Sequence, residues 1–271
     1  MEFITKIDIG KGGFTIEPGS RMLFVGSCFA ENIGRRLVDD ALRCQVNPYG
    51  TMYNPASILH SVERAIQEGV LNDGVDIAVF TLGTNHVYIL KETNEIVDNC
   101  QKRPQRLFRE EELSIEECAV YLKKAMEALR NINPDVKVII TVSPIRYRKY
   151  GFHESQLSKA TLLLAADKVV REESAAVYFP AYEIVNDELR DYRFYAADMI
   201  HPSEQAVDYI HERFAETFFS KETHQMTREW APIKAALNHR PFNPESEEYK
   251  AFLKKAKEEE RKFKEKYLLI S

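Results

Sequence analysis

Apolar and polar positions alternate along the chain in two distinct rhythms. Short continuous apolar runs at Met22 to Val25, Cys44 to Val46, Ile77 to Leu82, Val136 to Val142 and Ala176 to Phe179 predict five buried strands. Between them, apolar residues recur at helical spacing. Phe29, Ala30, Ile33 and Leu37 form one such stripe, and Ile58, Leu59, Val62 and Ala65 a second that Pro55 opens. Ile115, Ala119, Leu122, Ala125, Met126 and Leu129 form a third. A leucine- and alanine-rich helix is expected over 154–173, and Ala206, Val207, Ile210, Phe214 and Phe218 mark a last core helix. Strands that alternate with helices imply a parallel sheet covered on both faces. The expected fold class is α/β, a doubly wound three-layer α/β/α sandwich on a five-stranded sheet.

Residues 85–113 are irregular and polar, and predict a surface hairpin plus loop. The composition shifts beyond Lys221. Tyr249, Phe252, Leu253, Ala256 and Phe263 then fall on one stripe of a charged segment, which predicts a long amphipathic helix packed on the main body. The expected division is a domain over 1–220 and a helical extension over 221–271.

The chain has 271 residues, 44% hydrophobic and 29% charged, with a net charge of −5. It is long enough for a large core, and its acidity argues against a protein built to grip phosphate backbones. Its four cysteines, Cys28, Cys44, Cys100 and Cys118, form no Cys-x-x-Cys pair, so no zinc site or disulfide framework is expected. There is no apolar run of membrane-spanning length and no apolar leader. The expectation is a cytoplasmic protein with no organic cofactor, no metal and no nucleic-acid partner; the oligomeric state is left open.

In open α/β sheets, sites form beyond the carboxyl ends of the strands. Those positions hold Gly26-Ser27-Cys28, Asn47 to Gly50, Gly83-Thr84-Asn85-His86, Ser143 to Arg146 and, further on, Asp198 to Ser203. Alone, Ser27 reads first as a helix N-cap. Asp198 and His201 read as polar residues at a helix start, Gly50 and Asn85 as turn residues. Together, in this order, they match a nucleophilic serine, donors for an oxyanion and an Asp-oriented imidazole. Cys28 offers a thiol at the same helix N-terminus. A rotation of about 100 degrees per helical residue turns it away from Ser27, so a buried core thiol is expected. Arg146 could bind an anionic substrate group, and His86 and His153 could line the mouth.

Gly26-Ser27-Cys28-Phe29-Ala30 resembles the motif that names the GSCFA family of SGNH/GDSL-like hydrolases. The likeness extends over Asn47 to Gly50, Thr141 to Pro144, Ser158-Lys159-Ala160, Asp198 to Ser203 and Asn238 to Phe242. It implies a flavodoxin-like sandwich and an ester-hydrolysing or acyl-transferring site. By position it implies Ser27 as nucleophile, His201 as base, Asp198 as its orienter, and Gly50 and Asn85 in the oxyanion hole. The expected substrate is an acyl ester, such as an O-acetyl ester on a small molecule or glycan. Departures from the family pattern near 68–76, at His86 and at 147–150 motivate a rival, a glycan-binding protein without turnover. An acyltransferase using the same residues is the other alternative.

Overall fold

The computed structural model describes residues 4–10, 12–100 and 102–267. In chain order the main elements are β1 (Arg21–Gly26), α1 (Cys28–Asp39), β2 (Arg43–Val46), α2 (Pro55–Gln67), β3 (Ile77–Leu82), β4 (His86–Leu90), β5 (Glu95–Val97), β6 (Phe108–Glu112) and α3 (Ile115–Arg130). They continue with β7 (Lys137–Val142), α4 (Phe152–Glu172), β8 (Ala176–Tyr178), the single turn α5 (Ala181–Glu183), α6 (Glu204–Phe218), α7 (Lys221–Leu237) and α8 (Glu247–Lys266). A wide helical turn over Ile184–Leu189 follows α5.

Five strands form a parallel sheet in the order β2-β1-β3-β7-β8. This is the doubly wound order in which the chain reverses direction between β1 and β3. Successive side chains on a strand face opposite sides, and the three central strands divide their residues accordingly. Leu23 and Val25, Ala78, Phe80 and Leu82, and Val138, Ile140 and Val142 enter the core under α2, α3 and α4. Met22 and Phe24, Ile77 and Val79, and Ile139 enter the core under α1 and α6. Both faces of the sheet are therefore apolar, which is why these strands read as continuous runs rather than alternations.

Caps set the helix starts. Asn54 accepts from Ser57 N–H before Pro55 opens α2, and Ser203 accepts from Ala206 N–H at α6. Ser114 and Glu117 make a reciprocal capping box at α3.

Two regions differ from the sequence expectation. Within 85–113 there is a three-stranded antiparallel sheet, β5-β4-β6, rather than a hairpin alone. Its third strand, Phe-Arg-Glu-Glu-Glu, buries only Phe108, so no period-two pattern announces it. Beyond residue 220 there are two helices. α7 packs beside α8, buries Thr223 and Met226, and donates from Trp230 Nε1 to Asp39 O over 2.8 Å. Met226 and Phe263 extend the core beneath α1 and α6.

Candidate active site

The site is built at the carboxyl ends of β1, β2 and β3. Gly26 has φ +149°, and a Cβ there would stand 2.2 Å from the Thr81 carbonyl oxygen, so only glycine lets the chain leave β1 beside β3. Ser27 N–H donates to that oxygen over 3.0 Å, continuing the parallel pairing one residue past the strand. Asn47, at φ +41°, clamps the turn from the other side. Its Oδ1 accepts from Gly26 N–H over 3.0 Å, and its Nδ2 donates to Ser27 O over 3.5 Å.

Ser27 is 1% exposed. Its Oγ accepts from Phe29 N–H at 3.2 Å and lies 3.2 Å from Thr81 Oγ1. It is the buried N-cap of α1. His201 Nε2 lies 3.6 Å from the Sγ of Cys28, the next residue and the first of α1. The contacts described for Ser27 Oγ are with Phe29 N–H and Thr81 Oγ1, and the contact described for His201 Nε2 is with Cys28. A cap residue precedes the helix, so the helical rotation from one side chain to the next does not apply between Ser27 and Cys28. The capping bond turns Ser27 inward, and Cys28 presents its thiol to the loop that carries His201.

That loop is tightly held. Asp198 Oδ2 lies 2.6 Å from His201 Nδ1, while Oδ1 accepts from the backbone N–H groups of Ile200 (2.9 Å) and His201 (3.0 Å). The His201 N–H, its ring and the Ile200 N–H together hold the carboxyl well below the usual carboxylate range. His201 and Asp198 are 42% and 46% exposed along their side chains, so the pair is open to solvent. Arg146 braces the same loop. Its backbone N–H donates to Ile200 O at 3.1 Å and its Nη1 to Met199 O at 3.0 Å. Its guanidinium lies 4.1 Å from the Phe152 ring centre, with Tyr192 and Tyr195 also within cation–π reach. Arg146 is thus engaged in positioning this loop.

Burial pushes the Cys28 thiol pKa up, and the N–H groups of Cys28 and Phe29 and the charge of Lys159 pull it back down. Lys159 comes from α4, is 3% exposed, and donates from Nζ to Gly83 O at 2.6 Å. Its neighbour Ser158 accepts from Asn85 N–H at 3.1 Å and lies 3.0 Å from Thr84 Oγ1, fastening the loop after β3.

The groups expected as oxyanion donors make local bonds. Gly50 N–H closes its own turn on Asn47 O at 2.8 Å. Asn85 is buried, and its Nδ2 donates to Leu113 O over 2.8 Å. Ser27 N–H is taken by β3, as above.

His86, the first residue of β4, stacks on Tyr150 with ring centres 4.1 Å apart, and burial pushes its pKa down. Tyr150 leads to Tyr147 at 5.7 Å and Tyr147 to Tyr53 at 6.4 Å, an aromatic ridge. His153 is exposed in the first turn of α4. Among the described residues no group of three or more His, Cys, Asp or Glu side chains is placed to hold a metal ion.

Sequence reasoning set aside the Cys28 thiol and did not weigh Lys159. Both left a signal. Serine is a favoured N-cap, and Lys159 interrupts a buried face formed by Ser155, Ser158, Leu162, Ala165, Ala166 and Val169.

Comparison with known proteins agrees with this architecture. The profile of the GSCFA family matches residues 21–75 and 70–214, and that of the GSCFA domain protein, C-terminal domain, matches residues 230–270. No curated protein matches the sequence. Among solved structures, a protein from Parabacteroides merdae assigned as a GDSL-like lipase is similar at 10% identity and a TM-score of 0.50. That match covers 75% of this chain and 97% of the other. A catalytic mutant of an acetylxylan esterase from Geobacillus stearothermophilus is similar at 14% identity and a TM-score of 0.47, over 76% of this chain and 98% of the other. The fold is that of the SGNH/GDSL-like proteins.

Proposed function

The chain belongs to the GSCFA family, and from that premise we propose that it is an acyl hydrolase of the SGNH type whose nucleophile is Cys28. One observation carries the reading: Cys28 Sγ lies 3.6 Å from His201 Nε2, and His201 Nδ1 lies 2.6 Å from Asp198 Oδ2. This is the nucleophile–base–orienter arrangement with sulfur in place of oxygen.

His201 Nε2 takes the thiol proton as Sγ bonds to the acyl carbon. The tetrahedral intermediate collapses, the bond to the leaving oxygen breaks, and the imidazolium returns its proton to that oxygen. The product is a thioester on Cys28. Water then adds to the thioester carbon as His201 accepts its proton; the carbon–sulfur bond breaks, the carboxylic acid departs, and the imidazolium returns the proton to the Cys28 sulfur. Asp198 holds Nδ1–H and supports the imidazolium. The N-terminus of α1 directs its positive end at the thiol and at the oxyanion beside it. The substrate class is an acyl ester, such as an O-acetyl ester on a glycan or glycoconjugate. The exposed Tyr53 and the ridge behind it offer a sugar ring an apolar face. A sugar hydroxyl in place of water makes the same site an acyltransferase.

One observation favours a reading without turnover: the Gly50 N–H, the Ser27 N–H and one of the two hydrogens on Asn85 Nδ2 are engaged in local bonds. The two readings separate in one experiment. Hydrolysis of a small acyl ester and of its thioester is measured for wild type, Cys28→Ala, Ser27→Ala and His201→Ala. Loss of about 10²-fold or more in Cys28→Ala and His201→Ala, with Ser27→Ala within tenfold of wild type, is the expected result. Wild-type turnover that survives in Cys28→Ala and vanishes in Ser27→Ala returns the nucleophile to Ser27. No turnover in wild type, with glycan binding in the same cleft, supports the binding protein.

A further inference from the structure

Arg146, half-buried just beyond β7, makes no pair with a carboxylate among the described residues. Other arginines nearby do: Arg190 pairs with Asp187 at 3.4 Å and Arg193 with Asp191 at 3.7 Å. Arg146 is held instead by one carbonyl, Met199 O, and by the rings of Phe152, Tyr192 and Tyr195. Ring contacts act on the charge, and the side-chain hydrogen bond takes one of a guanidinium's five N–H donors. The remaining donors form a fork of the kind that fits a carboxylate or a phosphate. Arg146 also lines a cavity of about 230 Å³, together with Gln156, Arg190, Asp191, Tyr192 and Tyr195. Gln156 Oε1 accepts from the Tyr182 hydroxyl, which leaves its amide nitrogen as the donor end. The charges of Arg190 and Asp191 are offset by Asp187 and Arg193, so the charge of Arg146 remains uncompensated at this cavity.

The cavity adjoins the loop that carries His201. Arg146 bonds Met199 O and Ile200 O of that loop at 3.0 and 3.1 Å. Tyr195 pairs with Pro202 in a short antiparallel bridge, and Ala196 N–H donates to His201 O at 2.7 Å. In ester cleavage the group that protonates the leaving oxygen lies within hydrogen-bond reach of it. The alcohol part of the substrate is therefore the part that lies against the His201 loop. Resting on the reading of Cys28 and His201 as nucleophile and base, we propose that this cavity is a subsite for a carboxylate or phosphate on the alcohol of the ester, with Arg146 as its specificity-determining residue. The substrate class is then an acyl ester of an acidic alcohol, such as an O-acylated uronic acid or sugar phosphate. The cavity is smaller than the roughly 300–1,000 Å³ of pockets that enclose a whole drug-sized ligand. It takes the charged end of the substrate, while the acyl carbon stands at Cys28.

The test uses three acetate esters of similar shape: 4-acetoxybenzoate, 4-acetoxyphenyl phosphate and the neutral 4-acetoxybenzamide. Their kcat and KM are measured with full-length wild type, Arg146→Met and Arg146→Lys, and thermal melts confirm that each is folded. Loss of the loop brace lowers turnover of all three alike, so the readout is the ratio of kcat/KM for a charged ester over the neutral one. That ratio is expected to fall about tenfold in Arg146→Met, through the KM of the charged ester. It is expected to fall less in Arg146→Lys, which keeps the charge but not the fork. A fall seen with the benzoate alone, or with the phosphate alone, supports the proposal and names the group. An unchanged ratio for both in folded, active Arg146→Met leaves the arginine a brace only and overturns it. A second readout needs no turnover: calorimetry of the three leaving alcohols on Cys28→Ala. At least one acidic alcohol is expected to bind about tenfold more tightly than 4-hydroxybenzamide, and to lose that advantage when Arg146→Met is added. Equal binding of all three, or binding of none, overturns the proposal. Failure of the nucleophile assignment has a different signature, ester turnover that survives in Cys28→Ala, so the two outcomes cannot be confused.

Discussion

A lysine ammonium held out of water costs stability, and Lys159 makes that cost measurable. Its pKa falls from 10.5 in the unfolded chain to about 7 in the fold, with desolvation as the cause. Between those two values the unfolded state binds more protons than the folded state, so stability rises with pH across that window. The penalty is present in full below about pH 7 and gone above about pH 10.5. Lys159→Met is therefore expected to raise Tm, and its advantage over wild type to narrow by roughly 2 kcal/mol between about pH 6 and pH 9. A constant advantage across that range would contradict the shifted pKa. The neighbouring turn gives two more expectations. Ser27→Ala should cost about 1 kcal/mol of stability through the lost cap, measured by urea unfolding, while leaving the site chemistry in place. Gly26→Ala should cost about 3 kcal/mol or more, since a methyl group would strike the Thr81 backbone at a φ of +149°. At this scale the sequence was half legible. Asp198 Oδ2 and His201 Nδ1 meet at 2.6 Å, a pairing that the Asp-x-x-His spacing suggests. Which of two adjacent side chains meets the imidazole was decided by a capping bond, and a cap obeys extended backbone geometry rather than helical periodicity.

Elements that bury a continuous apolar surface were legible, and elements held by a few contacts were not. The strands β1, β3 and β7 announce themselves because both faces are covered. α7 does not: Pro232 stands inside it, and Thr223 and Met226 are its only buried residues among those described. It is placed by its neighbours, through Trp230 on Asp39 and Lys266 on Glu229. Pro can be accommodated within such a helix when tertiary contacts outweigh the lost backbone bond. The Asp198–His201 loop was legible as chemistry but not as a structure, because its brace, Arg146, comes from beyond β7. Since Arg146 acts through the loop, Arg146→Ala should lower kcat with little change in KM for a neutral acyl ester. A rise in KM at constant kcat would instead place the guanidinium on the substrate.

The whole molecule is two apolar cores divided by one sheet, and the sheet makes them a single cooperative unit. Leu122 lies fully buried under one face and Phe214 under the other, and β1, β3 and β7 contribute side chains to both cores. Losing either layer would expose one face of the same three strands to water, leaving the other layer on a sheet half solvated. The C-terminal helices join this unit on one side only, through Met226 and Phe263. Phe263 is 4% exposed and packs 5.0 Å from the Trp230 ring centre, so it ties α8 to α7 and both to the core beneath α1 and α6. Leu122→Ala and Phe214→Ala should each cost about 2–5 kcal/mol and shift the same urea transition, seen alike by circular dichroism and by tryptophan fluorescence. Because Trp230 is the only tryptophan in the chain, its fluorescence reports the C-terminal helices alone. Phe263→Ala puts the coupling of those helices to the test. Coincident dichroism and fluorescence transitions, both moved to lower urea, are expected if they unfold with the sheet. A fluorescence change that runs ahead of the dichroism change in wild type would instead show that the helical hairpin detaches first, with the sheet and the His201 loop still folded.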